Sequence, residues 1–239
     1  MQALVLAGGK GTRLYPYTTV LPKPLMPVGD YPILEILLRQ LKAAGITEVI
    51  LAVGYLSHLI EAFFQNGERL GLKISYSLEE KPLGTAGPIS LVLDRLEQDF
   101  LILNGDLLTT MRFSNLIQYH KANQAAATIG LYQREVKIDF GVIETNEQSQ
   151  LLCYREKPVY HFDVSMGVNV LNKQKILPYL KPGEYLDIPE LMMQLSQNQH
   201  PVYCYREPCY WLDIGRVDDY QVAVSRFVEN PEEFIPSGL

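Results

Sequence analysis

LVLAGGKGTRLYPYTTVLPKPLMPVG, Leu4 to Gly29, decides how the rest of the chain is read. A short apolar run, Ala3 to Ala7, has the look of a buried strand and stops at Gly8, Gly9 and Gly11. Arg13 follows at once, and Lys23 stands between Pro22 and Pro24. Glycines let a backbone approach a ligand closely, and their N–H groups can point at phosphate oxygens. Arg and Lys add charge around the same anion. The stretch therefore reads as a strand that feeds an anion-holding loop. A plain turn needs neither the two cations nor the stiffening prolines 22, 24 and 27.

The next hundred residues repeat strand and helix. Ile33 to Ala44 is apolar at helical spacing, with Pro32 at its start and Gly45 past its end. Glu48–Val53 reads as a strand. Ser57 to Leu70 reads as a helix capped by Ser57 and stopped by Gly71. Lys73–Leu78 and Phe100–Leu103 read as strands on either side of a helix over Ala86–Leu96. This alternation predicts an α/β fold, a predominantly parallel, Rossmann-like sheet flanked by helices. Ligands of such sheets bind beyond the carboxyl ends of the strands, where the glycine loop and Asn104-Gly105-Asp106 both fall.

After residue 112 the pattern changes. Phe113–Asn123, Ile188–Gln197 and Val217–Val228 read as helices. Ala125–Tyr132, Gly141–Glu144, Leu151–Arg155, Val164–Leu171 and Val202–Arg206 read as strands, and Tyr179 to Gly183 as a turn. No linker or charge block divides the chain, and no hexapeptide repeat appears. The expectation is one domain over 1–239. Its nucleotide-binding half is 1–112, and an insertion-rich second half, 113–239, covers the pocket. The tail, Asn230–Leu239, reads as free or ordered only by a partner.

Bulk numbers exclude some classes. A net charge of −6 argues against a general nucleic-acid surface. No apolar run approaches the roughly 20 residues of a membrane helix. The start MQALVLAGG lacks the basic flank and apolar length of a signal peptide. Cys153, Cys204 and Cys209 are odd in number and fit no zinc spacing, as expected of reduced thiols. A soluble, cytoplasmic protein is expected. The loop is neither G-x-x-x-x-G-K-[ST] nor G-x-G-x-x-G, which disfavours a Walker-type kinase and a dinucleotide dehydrogenase.

The wording G-G-x-G-T-R-L-x-P-x-T followed by P-K-P-L-x-P-V-G resembles the sugar-1-phosphate nucleotidylyltransferases, the NDP-sugar pyrophosphorylases. Glu79-Glu80-Lys81-Pro82-Leu83-Gly84-Thr85-Ala86-Gly87 is similar to that family's base-recognition segment. Asn104-Gly105-Asp106, Glu156-Lys157-Pro158 and Trp211-Leu212-Asp213-Ile214-Gly215 resemble its metal, sugar-phosphate and closing motifs, in the right order. The wording P-L-G-T-A-G-P looks like the mannose-1-phosphate guanylyltransferase branch. The resemblance implies the nucleotide-diphospho-sugar transferase fold. It also implies transfer of a nucleotidyl group from an NTP to a sugar 1-phosphate, with Mg²⁺ as cofactor, and it suggests a homo-oligomer.

Residue by residue, the resemblance implies that Leu6, Ala7, Gly8, Gly9, Gly11, Thr12, Arg13 and Lys23 hold the nucleotide, joined by Glu79, Gly84 and Thr85. Arg13, Lys23 and Asp106 would be catalytic, and Asp106 with Asp213 would hold the metal. Gly141, Glu156, Lys157 and Asn169 would bind the sugar phosphate. Either aspartate alone would ordinarily be a cap or a solvated group. Together among phosphates they suit Mg²⁺, which takes one or two carboxylates plus phosphate oxygens and water. The four histidines form no cluster and read as structural or surface residues. A sugar phosphate is largely dianionic at neutral pH and needs no general base.

Glu79 could accept both N1–H and the N2 amino group of guanine, or the single N3–H of uracil or thymine. The two-donor fit favours GTP, with mannose 1-phosphate or a related hexose or heptose 1-phosphate as acceptor. A uridylyl- or thymidylyltransferase acting on glucose 1-phosphate or an amino-sugar 1-phosphate is the alternative. A non-catalytic NDP-sugar-binding paralogue is the alternative outside enzymes. Ser165-Met166-Gly167-Val168-Asn169 stands where many members carry N-A-G-x-Y, so sugar identity is the least legible feature. Asp187 reads as a helix cap with Glu190 as its partner.

Overall fold

Ala3, Val5 and Ala7 face one side of the first strand, β1 (Gln2–Ala7), while Leu4 and Leu6 face the other, and both sides are covered. The computed structural model describes residues 1–235. The first half contributes α1 (Ile33–Ala43), β2 (Glu48–Val53), α2 (Ser57–Phe64), β3 (Lys73–Leu78), β4 (Asp99–Asn104) and the short β5 (Leu107–Thr109). The second contributes α3 (Phe113–Ala122), β6 (Ala127–Lys137), β7 (Val142–Thr145), β8 (Leu151–Arg155) and β9 (Val159–Asn172). It ends with α4 (Ile188–Gln197), β10 (Val202–Arg206), β11 (Trp211–Asp213) and α5 (Val217–Glu229).

One seven-stranded sheet runs β10-β6-β9-β4-β1-β2-β3. β1 is parallel to both neighbours, with Leu6 opposite Asn104 and Ala7 opposite Val53. β2–β3 and β6–β10 are also parallel, whereas β9 runs antiparallel to β4 and β6. From β1 the chain goes one way to β2 and β3, then returns to lay β4 on the other side. The switch lies at the carboxyl ends of β1 and β4, where open α/β sheets bind ligands.

α1, α2 and α3 pack through Leu34, Leu38, Ile60, Phe64, Phe113 and Leu116 on one face of the sheet. α4 packs with Ala86, Ile89 and Val92 on the other. A third core gathers Leu14, Met26, Val28 and Ile36 with Ala223 and Phe227 of α5. That third core clamps the N-terminal loop from behind. The Tyr220 hydroxyl donates to Pro27 O at 2.6 Å across the same contact.

Several expected boundaries move. The helix expected over Ser57–Leu70 stops at Phe64, because Gln65 and Gly67 take positive φ, and it resumes only as a 3₁₀ turn at Glu68–Leu70. Its N-cap is Leu56 rather than Ser57. The helix expected over Ala86–Leu96 is two 3₁₀ turns, Gly87–Leu91 and Leu93–Arg95. Gly87 lies too close to Glu184 O and to Leu83 for a regular helix carrying a side chain there. β6 and β9 run longer than expected, because their outer halves form an exposed arm whose polar residues imitate a turn. The tail is not free: Phe234 is buried against Tyr210 and Phe227. Pro236 to Leu239 of that expectation lie outside the described residues. Among the described residues no helix is long and apolar enough to cross a membrane.

His120 on α3 is fully buried, its Nδ1 2.9 Å from Thr128 Oγ1 and its Nε2 3.6 Å from Asp99 Oδ1. Burial lowers its pKa, against the pull of the Asp99 carboxylate. The folded protein therefore holds it neutral, while the unfolded chain takes up a proton near pH 6.5. Below that pH the unfolded state binds more protons, so stability falls as pH falls toward the folded pKa. The melting temperature is expected to drop between pH 7.5 and 5.5, and His120→Gln should flatten that slope. An identical slope in the variant would assign the loss to other groups.

Candidate active site

The loop after β1 is shaped by crowding. A Cβ on Gly8 would lie 3.1 Å from Glu79 Oε1 and 3.4 Å from Gly54 N, so three strand ends meet there. Tyr55 N donates back to Gly8 O at 3.2 Å. Gly9 faces open space. Gly11 has φ +62° and its carbonyl accepts from Thr18 Oγ1 at 2.8 Å, which fixes the loop's exit. Leu14 then anchors in the third core and leaves Arg13 exposed.

Gly105 N donates to Leu6 O at 2.9 Å, which brings Asp106 against the end of β1. Lys23, only 8% exposed, sits in a 3₁₀ turn after Pro22 and forms an ion pair with Asp106 Oδ2. Asp106 Oδ1 is buried with no partner among the described residues. β11 pairs antiparallel with β5, setting Asp213 opposite Leu107, and Ile214 N donates to Asp106 O at 3.1 Å. Two carboxylates from opposite halves of the chain are thus neighbours. Burial raises the Asp213 carboxyl, and the Asp106 charge adds to it, opposed by Lys23 and Arg13. A Cβ on Gly215 would lie 3.4 Å from both Arg13 Nη2 and Asp213 Oδ2, so guanidinium and carboxylate both flank that glycine.

An orphaned buried carboxylate oxygen beside a second carboxylate suits a hard divalent cation. Among the described residues no cluster of three or more His, Cys, Asp or Glu exists. A pair of aspartates fits Mg²⁺, which completes its shell with phosphate oxygens and water, better than it fits a metal needing an all-protein cage.

A cleft of about 750 Å³ runs from this acidic end to the segment after β3. Leu6, Gly8, Gly9, Glu79, Gly84, Thr85 and Asp106, all expected at the site, line it. Glu79 Oε2 accepts from Leu83 N at 3.3 Å; burial pushes its carboxyl up, and that N–H pulls it back. Gly84, at φ +78°, packs onto Leu186 O, where a Cβ would come within 2.5 Å. Of the other expected residues, Ala7 turns its side chain into the core. Gly11 and Thr12 continue the loop beside the cleft.

The expected sugar-phosphate residues stand apart from this cleft. Glu156 and Lys157 are exposed on the turn between β8 and β9, with Lys157 at φ +44°, a rare backbone state for a non-glycine residue. Gly141 lies under the Tyr154 phenol. Asn169 is 3% exposed inside β9, and its Oδ1 has no partner among the described residues. Like Leu171, it lies on the sheet face opposite Val168 and Val170.

Sequence reading missed Gly54, Tyr55 and Tyr185 as lining residues. Gly54 and Tyr55 follow the carboxyl end of β2, a position that marks them once the strand order is known. Asp187 stands at the N-cap position just before α4 as expected, yet its side chain makes no cap bond. Thr85 Oγ1 accepts from Ile188 N at 2.8 Å instead, and Glu190 bonds Gln194. Asp187 is drawn away because Thr85 and Tyr185 both donate to it.

A family model described as Nucleotidyl transferase matches residues 2–232. A UTP–glucose-1-phosphate uridylyltransferase of Synechocystis is 30% identical over 252 residues, 96% of this chain and 65% of that protein. A mannose-1-phosphate guanyltransferase of Schizosaccharomyces pombe is 33% identical over 247 residues, 100% of this chain and 68% of that protein. The chain thus spans about two thirds of the length of these curated relatives. A solved structure of UDP-glucose pyrophosphorylase complexed with UDP-glucose superposes with a TM-score of 0.74 at 18% identity, covering 96% of this chain and 98% of that one. That likeness is one of fold, and it bears out the fold expected from the motifs.

Proposed function

Because this chain belongs to the nucleotidyl transferase family, we propose that it transfers a nucleotidyl group from an NTP to a sugar 1-phosphate, giving an NDP-sugar and pyrophosphate. One observation carries the reading: a single cleft joins a glycine loop and Asp106, which is ion-paired with Lys23 and neighboured by Asp213, to a half-buried glutamate at its far end. The first end has the chemistry for a triphosphate and the second for a base edge.

The loop amides of Gly8 and Gly9 and the cations Lys23 and Arg13 hold the triphosphate and take up the charge of the departing pyrophosphate. Asp106 and Asp213 would hold Mg²⁺, which when bound supplies charge neutralisation at the phosphates. Lys157 fixes the sugar phosphate and Glu156 and Asn169 bind its sugar, although all three stand outside the nucleotide cleft. Asn169 Oδ1 has no donor among the described residues. The attacking phosphate is already largely anionic at neutral pH and needs no general base. Catalysis is positioning and electrostatics.

The preferred substrates are GTP and mannose 1-phosphate or a related hexose or heptose 1-phosphate. A carboxylate at Glu79 offers guanine two acceptors, and a relative at 33% identity is named a mannose-1-phosphate guanyltransferase. The second reading, uridylyl transfer to glucose 1-phosphate, draws on the relative at 30% identity. Four NTPs crossed with several sugar 1-phosphates, scored by pyrophosphate release, separate them. Nucleotide binding without pyrophosphate release for any pair would make the chain a binding paralogue. Lys157→Ala is expected to raise the sugar-phosphate KM by roughly tenfold or more, since it removes a charge-assisted bond. The NTP KM should move little; equal changes in both would remove Lys157 from the acceptor site.

A further inference from the structure

Tyr185 stands at the mouth of the cleft, 63% exposed, and its hydroxyl donates to Asp187 Oδ2 at 2.6 Å. The other oxygen of the same carboxylate accepts from Thr85 N at 2.9 Å and Thr85 Oγ1 at 3.0 Å. Main-chain bonds reinforce the join: Leu186 O accepts from Ala86 N and Gly87 N, and Leu186 N donates to Leu83 O. An aromatic ring so exposed gains little from burial, and fixing its rotamer costs conformational entropy. The bond to Asp187 is what holds it. The bond also draws the carboxyl below its ordinary pKa and raises the phenol, so the pair stays ionised and protonated respectively at neutral pH.

We propose that the Tyr185 ring is a wall of the nucleobase subsite, and that Asp187 is a positioning residue tying that ring to the Gly84–Thr85 segment. The inference rests on the nucleotidyl-transfer reading above. The structure gives Asp187 no work as a helix cap, since Thr85 has taken that bond. Its two oxygens instead join the segment beside Glu79 to Tyr185, an aromatic ring on the second-half side of the cleft. A planar ring held in place at the base end accepts a base face of either ring size, because every base has a π-face. Glu79 then selects by edge, and Tyr185 contributes affinity.

Equilibrium binding of GTP and UTP, without acceptor sugar, tests this alongside steady-state kinetics. Tyr185→Ala is expected to raise the Kd and KM for the favoured NTP about tenfold, the scale of a lost base-stacking contact. The sugar-phosphate KM and kcat should stay within about twofold, as should the melting behaviour of so exposed a side chain. Tyr185→Phe keeps the ring and loses the tether, so its effect should be about threefold. Asp187→Ala should act through the same tether, and the Asp187→Ala, Tyr185→Phe double variant should bind no worse than Asp187→Ala alone. Unchanged NTP affinity in Tyr185→Ala, a loss confined to the sugar phosphate, or additive losses in the double variant would overturn the assignment alone. A wild-type protein that neither binds an NTP nor releases pyrophosphate would overturn the functional reading as well.

Discussion

Asp106→Asn is expected to lower pyrophosphate release by roughly two to three orders of magnitude at saturating substrates. The side chains are isosteric, and the amide oxygen can still accept from Lys23, so the change isolates charge. Lys23 is almost fully buried, and it meets Asp106 Oδ2 while Asp106 Oδ1 has no partner among the described residues. The geometry therefore divides one carboxylate between two duties: one oxygen fixes the lysine, and the other is free for a cation. Removing the charge leaves Asp213 as the single anion at that end and leaves the Lys23 ammonium without a full countercharge. A hundredfold loss corresponds to about 2.7 kcal/mol of transition-state stabilisation. The Mg²⁺ concentration for half-maximal activity should rise as well, because a site with one carboxylate binds the ion less tightly than one with two. The fold should survive, since Asp106 is about a quarter exposed and its backbone bonds to Ile214 do not involve the side chain. Thermal melts check the fold and a Mg²⁺ titration of turnover checks the ion. Near-normal turnover at an unchanged Mg²⁺ requirement would sink the metal assignment.

Glu79→Gln should have the second large effect, on which base is used. Guanine presents two donors on one edge, N1–H and the N2 amino group, and a carboxylate can accept both. Glutamine replaces one acceptor with a donor, which then faces a donor on the base. A desolvated polar mismatch of this kind costs about 1–3 kcal/mol, so kcat/KM for GTP should fall between about fivefold and about 150-fold. Uracil offers N3–H beside a carbonyl, which the glutamine amide can match with one acceptor and one donor, so UTP use should rise relative to GTP. Burial already raises the Glu79 carboxyl. Exchanging it for a neutral amide removes a desolvated charge, so the melting temperature should not fall. Competition between GTP and UTP at equal concentration is the direct measurement. An unchanged ratio would show that Glu79 does not read the base.

Much of the first half was legible from local pattern. β2, β3 and α1 stand within a residue of their expected ends, and so do α4 and β10 in the second half. Apolar period, proline and glycine placement, and strand length settle such elements one at a time. The illegible parts share a cause. The 3₁₀ turns at Gly87–Arg95 carry helical composition, but the close approach of Glu184 and Leu186 decides their form. The β6–β9 arm is exposed on both faces, so burial imposes no alternation on it. Asp187 has a helix-cap sequence, and a threonine 102 residues earlier takes the cap from it.

The same division holds for the site. By itself the sequence determined that a glycine loop follows a buried strand, that cations stand beside it, and that the motifs occur in one family's order. Those are properties of short stretches, set by backbone freedom and residue chemistry. Only the tertiary structure decided that Asp106 and Asp213 are neighbours, because the β5–β11 ladder that joins them pairs strands from opposite halves of the chain. Only it decided that Lys23 spends its charge on Asp106, that Phe234 closes the core behind the loop, and that Tyr185 is tied to the segment beside Glu79. Each of these contacts depends on strand order and on which faces are buried. Sheet order is fixed by the simultaneous burial of both faces, and no single stretch carries that information.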